Sequence, residues 1–378
     1  QVDTMDGNPK RGASQSLTVP FKQAKYDRKF TESIFDPRRE SNRLDRFREC
    51  GSYLIFDHCR HLEHYHSLHS ANFCRDRMCV TCQWRNSLRL YSTVWRVSEE
   101  MLTQEPKKPE FTLLTLTVQN CEIADTGSTL KRMTRAFQRL RDSKFWKDRV
   151  KGYFRSLEIT FNERANSVHP HFHIMLHMAD DYFHGYKYTK QEKWLEAWRK
   201  AYKDYNITQV DIRNINQKSK SALMKSLCEV VKYSIKPSTF KIKNLSIRSR
   251  LLTQLKNDLR GVKMHQPGGS IWMYFKKLDM IMDEEEMNLA DDPTQGVECP
   301  ECKKDLLRTW FKWTGKDYDY TRQTTLRYLE DLRDADSVDE WKYQDAERQA
   351  IEEKILKRGT FFNRKFDYCD VHDGSFQQ

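Results

Sequence analysis

The stretch VHPHFHIMLHM, residues 168–178, decides how this chain is read. In an extended strand successive side chains alternate between two faces. His169, His171, His173 and His177 therefore share one face, and Phe172, Ile174 and Leu176 share the other. The apolar face can enter a core. Four imidazoles on the opposite face favour metal binding over a merely wet sheet surface, since two His one residue apart emerge ~7 Å from each other and can reach one ion.

FRSLEITF, residues 154–161, reads as a second strand, with Glu158 between Leu157 and Ile159. If the two strands pair as a hairpin, Glu158 meets His171 and His173 across the sheet. Two imidazoles and a carboxylate leave coordination positions open, and such a mixed set suits Mn²⁺ or Mg²⁺. The competing reading of Glu158 is a plain surface carboxylate.

Working outward, FTLLTLTVQN (111–120) is a β-branched run expected to be a buried central strand. Residues 128–146 carry Leu130, Met133, Phe137 and Leu140 at helical spacing, with Lys131, Arg132, Arg135, Arg139 and Arg141 between them. That is an amphipathic helix with a basic wet face. Thr189 and Glu192 form a capping-box pattern ahead of a helix through Trp194, Leu195, Trp198 and Tyr202. A strand near 207–215 and a helix from Ser219 to Ile235 follow. The expected class is α+β: an antiparallel sheet with split βαβ topology, preceded by a metal-stapled segment and followed by a mainly helical module from about Thr321 to Lys357.

In SLCEVVKYSIK (226–236), Glu229 and Tyr233 are four residues apart and would share a helical face. A tyrosine with a pKa of ~10 needs help to act as a nucleophile, and Lys232 and Lys236 could supply it while holding phosphates. By itself, a tyrosine on a basic helix is more often packing.

The chain has 378 residues and a formal charge of +12, unevenly spread. Residues 281–378 hold 15 Lys+Arg and 24 Asp+Glu, leaving 51 and 30 in residues 1–280. A body of net +21 with an acidic end of −9 points to a polyanion partner for the body, nucleic acid above all. No run approaches the ~20 apolar residues of a membrane span. Nine Trp and 20 Phe argue against disorder throughout. With no apolar signal core at the N-terminus, the expected location is a reducing cytoplasm.

Ten cysteines include two pairs at metal-ligand spacing, Cys79–Cys82 and Cys299–Cys302. Cys74 adds a third thiolate to the first pair. Its fourth ligand lies among Cys50, Cys59, His58, His61, His64, His66 and His69, and Cys50 is chosen. The second pair is assigned Cys369 and His372 as partners, completing a Cys3His zinc site. The domains expected are a flexible tail over 1–40, a Cys/His-rich zinc segment with a helix over 41–104, a catalytic domain over 105–280 and an acidic module over 281–378.

Taken together, TLTV, the HPHFH strand and the Glu229–Tyr233 segment resemble the three motifs of rolling-circle plasmid replication initiators of the HUH endonuclease superfamily, single-tyrosine type. The resemblance covers roughly residues 45–240. It implies that His171, His173 and Glu158 hold a divalent cation, and that Tyr233 attacks the scissile phosphate to give a 5′-phosphotyrosine and a free 3′-OH. Glu229 would serve as base for the water of the terminating cleavage, and His169 matches a recurring position whose role stays open. Single-stranded or hairpin origin DNA is the implied substrate; independently of the resemblance, the basic charge of the body makes Lys232, Lys236, Arg132, Arg135 and Arg139 the candidate DNA contacts. A host helicase, a single-strand-binding protein and a homodimer are further implied partners. Competing readings are a single-tyrosine transposase or relaxase, and a non-catalytic zinc-dependent DNA-binding regulator.

Overall fold

The computed structural model describes residues 11–180, 182–184, 187–215, 217, 219–231, 235, 237–280, 289–292 and 294–334. Among them nine strands form: β1 (Tyr53–His58), β2 (His66–Ala71), β3 (Phe111–Thr117), β4 (Val150–Asn162), β5 (Ser167–Met178), β6 (Val210–Asn214), β7 (His265–Gly269), β8 (Leu307–Trp313) and β9 (Tyr318–Thr325). They make two antiparallel sheets, ordered β2-β1-β8-β9 and β6-β3-β5-β4-β7. With helices packed on them, the class is α+β, as expected. The described residues fall into two compact units, one built from those up to Arg85 and those from 289 onward, the other from Asn86 to 280.

In the second unit the histidine strand β5 holds the middle of the sheet, and FTLLTLTVQN supplies its neighbour β3. The alternation of β5 decides what each face meets. On one face Phe172, Ile174 and Leu176 are buried, and the ring of Phe137 packs edge-on against Phe172 and Tyr153 at 5.8 and 5.2 Å. Phe137 belongs to the helix Thr126–Asp142, whose buried Leu130, Met133, Phe137 and Leu140 follow the expected spacing. The other face is divided. Phe111, Leu113, Phe154 and Met175 join a core with Val94, Leu227, Val230 and Phe275, whereas His171, His173 and Glu158 occupy the polar part.

β7 is hidden in the sequence because HQPGG reads as a turn. It forms an edge strand, where the missing N–H of Pro267, opposite Phe154, is tolerated. Gly269 has φ +60°, and a Cβ there would collide with the Lys151 carbonyl.

Two expectations change in the first unit. Residues 1–40 are expected to be a flexible tail, but Arg11–Arg28 is a helix. Its Leu17 and Phe21 bury against Leu54, Phe56, Leu68 and Phe311 of the four-stranded sheet, so their spacing of four places both on one face. Residues from Thr321 are expected to be helical, yet the chain stays extended to Thr325 and the helix begins at Leu326. The aromatic and β-branched content of Leu307–Thr325 favours a strand pair, which docks on β1.

Candidate functional site

In the β4–β5 ladder Glu158 lies directly opposite His171. Glu158 Oε2 accepts hydrogen bonds from His171 Nε2 at 2.9 Å and His173 Nε2 at 2.7 Å. All three side chains are buried, and their candidate ligand atoms lie within 4.8 Å of one another. Burial opposes charge on Glu158, but the bonds from the two imidazoles outweigh it and hold the carboxyl well below the usual carboxylate range. An ionised carboxylate and two imidazoles at the centre of a sheet make a donor set that can hold a divalent cation.

The neighbouring strand β3 supports one of these groups. Thr115, opposite His173 on β3, has its Oγ1 3.3 Å from His173 Nδ1. This contact orients the ring and leaves Nε2 for the cluster. The expectation of a buried central strand over FTLLTLTVQN gives Thr115 no role; its signal is a Thr alternating with apolar residues in that strand. On the other side Ser156 Oγ is 3.0 Å from Nδ1 of the buried His265. The other two histidines of the strand do not join the cluster. His169 Nδ1 lies 2.7 Å from Asn120 Oδ1, and His177 Nδ1 lies 2.8 Å from Ser270 Oγ. Thus β5 alternation puts four histidines on one face, but Glu158 reaches only two.

The helix expected over Ser219–Ile235 spans Lys220–Val230 and is capped at its start by the Ser219 side chain. Its Leu223, Leu227 and Val230 belong to the core on the histidine face, and Glu229 is half-buried in its last turn. Tyr233, Lys232 and Lys236 lie outside the described residues. Ile235 is buried and forms a parallel bridge with Ile159, the residue after Glu158.

The arginines singled out for DNA sit elsewhere. Their helix covers the Phe172 face of the sheet, opposite the His171–His173 cluster. Arg139 Nε donates to Ala201 O at 2.7 Å, and Arg132 Nη2 donates to the Tyr202 and Lys203 carbonyls at 3.3 and 3.1 Å. Both satisfy the C-terminal carbonyls of the helix Gln191–Tyr202, which a helix end leaves open. Arg135 is exposed on the same helix.

The first unit gathers two groups of metal-ligating side chains. Cys50, Cys74, Cys79 and Cys82 converge, with sulfur–sulfur distances of 3.5 Å for Cys50–Cys82 and 3.6 Å for Cys74–Cys82 and Cys50–Cys79. A tetrahedron with ~2.3 Å metal–sulfur bonds has edges of about 3.8 Å, so the set fits. Backbone N–H groups of Arg75 and Asp76 donate to Cys82 and Cys74 sulfurs at 3.2 and 3.4 Å. Burial pushes the Cys74 and Cys82 thiols up; at Cys79 burial is outweighed by hydrogen bonds from its neighbours, which hold it well below the usual thiol range. Cys299 and Cys302 meet Cys59 and His64. Cys369 and His372, expected as their partners, lie outside the described residues.

No helix among the described residues is long and apolar enough to cross a membrane. A family model described as a replication protein matches residues 65–321, continuing through Cys299 and Cys302, beyond the stretch that carries the three motifs. A "Protein rep" from Lactiplantibacillus plantarum is 32% identical over 278 residues, covering 72% of this chain and 86% of that protein. One from Staphylococcus aureus is 34% identical over 202 residues, covering 53% and 85%. One from Streptococcus pneumoniae serotype 2 is 31% identical over 207 residues, covering 54% of this chain and 63% of that protein. No solved structure matches. The resemblance drawn from the three motifs therefore holds at the level of the family: the chain belongs to the replication proteins.

Proposed function

We propose that the protein initiates plasmid rolling-circle replication by nicking single-stranded origin DNA within an HUH-type catalytic domain over residues 105–280. One observation carries this reading: the buried Glu158–His171–His173 cluster shares a sheet face with the helix bearing Glu229, whose chain leads to Tyr233. The bridge from Ile235 to Ile159 brings the chain two residues beyond Tyr233 beside Glu158.

Glu158, His171 and His173 would hold Mn²⁺ or Mg²⁺ at their carboxylate and imidazole atoms. When bound, the cation supplies Lewis-acid polarisation of the scissile phosphate. Tyr233 Oη attacks phosphorus, the P–O3′ bond breaks, and the 3′ oxygen leaves as a hydroxyl that primes synthesis. The 5′ phosphate stays on Tyr233 as a phosphodiester. Glu229 takes the proton of the water used in the terminating cleavage. Thr115 holds the His173 ring, and Lys232 and Lys236 bind phosphates. Zinc in the Cys50–Cys74–Cys79–Cys82 set is structural, since four thiolates leave no open position.

The test mixes the protein with a single-stranded origin oligonucleotide and Mn²⁺ and seeks a covalent adduct on a denaturing gel. An adduct in wild type and none in Tyr233→Phe is the expected result. DNA binding without any adduct would establish a regulator that does not cut.

A further inference from the structure

We infer that Cys59, His64, Cys299 and Cys302 form a second zinc site, separate from the four-cysteine set. The ligand atoms of the four lie within 4.8 Å of one another, and the sulfurs of Cys59 and Cys302 are 3.5 Å apart. That distance is close to the about 3.8 Å edge of a zinc–thiolate tetrahedron and far from the ~2.05 Å of a disulfide. Cys59 and Cys299 are buried. Nδ1 of His64 is also buried and makes no hydrogen bond among the described residues, as expected of an imidazole oriented toward an ion.

The backbone is arranged to hold the sulfurs. His61 N–H donates to Cys59 Sγ at 3.4 Å. Cys299 and Cys302 lie on a tight turn in which Lys303 N–H donates to the Cys299 carbonyl at 3.0 Å and Lys303 takes φ 57°. In the four-cysteine set Arg75, directly after Cys74, takes φ 59°, so each group has a left-handed residue directly after a cysteine. Three thiolates and an imidazole are donors for zinc rather than for Mg²⁺ or Ca²⁺, and four of them close the coordination sphere. The site is structural.

Its placement shows what it fastens. Cys59 follows the last residue of β1, and the Cys299–Cys302 turn precedes β8, which pairs with β1. Cys50 lies just ahead of β1, so the two ions would grip opposite ends of one strand. Leu306 and Leu326 pack beside Cys59 and Cys299, so the second ion would lock the segment from 299 to 326 into the Cys-rich unit.

The test measures zinc released from the full chain by a thiol-specific mercurial, which reports only thiolate-held metal. Wild type should release two equivalents; Cys59→Ser and Cys302→Ser should each release one. The double variant Cys369→Ser/His372→Ala should keep two. His64→Cys guards against variants that do not fold: it should retain two equivalents and strengthen the thiolate charge-transfer absorption after cobalt substitution. A single equivalent from wild type would overturn the site. So would loss of one equivalent in the Cys369/His372 variant, or an unchanged cobalt spectrum in His64→Cys.

Discussion

Glu158 and His171 face each other across the β4–β5 ladder, and the carboxylate oxygen 2.9 Å from His171 Nε2 also lies 2.7 Å from His173 Nε2. A buried carboxylate bridging two imidazoles offers a cation one negative and two neutral donors within 4.8 Å of one another. Glu158→Gln keeps the shape and removes the charge. It should raise the Mn²⁺ concentration needed for half-maximal nicking by about 10–100-fold, scaled from the losses seen when support of a metal ligand is removed. An unchanged Mn²⁺ requirement would take Glu158 out of the ligand set.

Thr115 acts through His173 and should contribute to metal binding without touching the substrate. Thr115→Val preserves β-branching and volume but loses the hydroxyl 3.3 Å from Nδ1. Calorimetric titration with Mn²⁺ should show roughly tenfold weaker binding with little change in melting temperature. Thr115→Ser should restore the affinity, which a merely packing role would not predict.

His177 should make stability depend on pH. Burial first, and the nearby Lys151 second, lower its pKa from 6.5 to about 4. The unfolded chain takes up a proton below about 6.5 while the folded chain stays neutral to about 4, so stability falls as pH drops through that window and levels off below it. The full effect is at most about 3 kcal/mol. Chemical denaturation of His177→Gln between pH 7 and 4 should show a shallower loss than wild type. Equal slopes would refute the assignment.

Arg139 and Arg132 should matter for stability more than for DNA. Arg139→Ala removes the hydrogen bond to the Ala201 carbonyl at the end of the helix Gln191–Tyr202 and should cost about 1 kcal/mol in denaturant unfolding. The salt dependence of oligonucleotide binding should stay as in wild type. A slope reduced by about one would instead place Arg139 on a phosphate.

Much of the second unit was legible because its information is local. The period of two in residues 154–161 and 171–178 specified paired strands, and the helical spacing of Leu130, Met133, Phe137 and Leu140 specified the covering helix. β7 was not legible, because Pro and Gly mark turns unless an edge is available to receive them. The helix carrying Glu229 is shorter than its apolar spacing predicts: the spacing continues past Val230, but the chain leaves the helix there and Ile235 pairs with Ile159.

The sequence by itself determined the face on which the histidines lie, the candidate carboxylate, the three-thiolate nucleus and the basic charge of the body. Only the tertiary structure decided which histidines Glu158 reaches, since strand register selects His171 and His173 over His169 and His177. It also placed the arginine-rich helix on the opposite face and brought Cys59 and His64 to Cys299 and Cys302. The physical reason is common to all three. Side-chain periodicity is set by neighbouring residues, whereas register, facing and convergence are set by contacts between segments far apart in the chain.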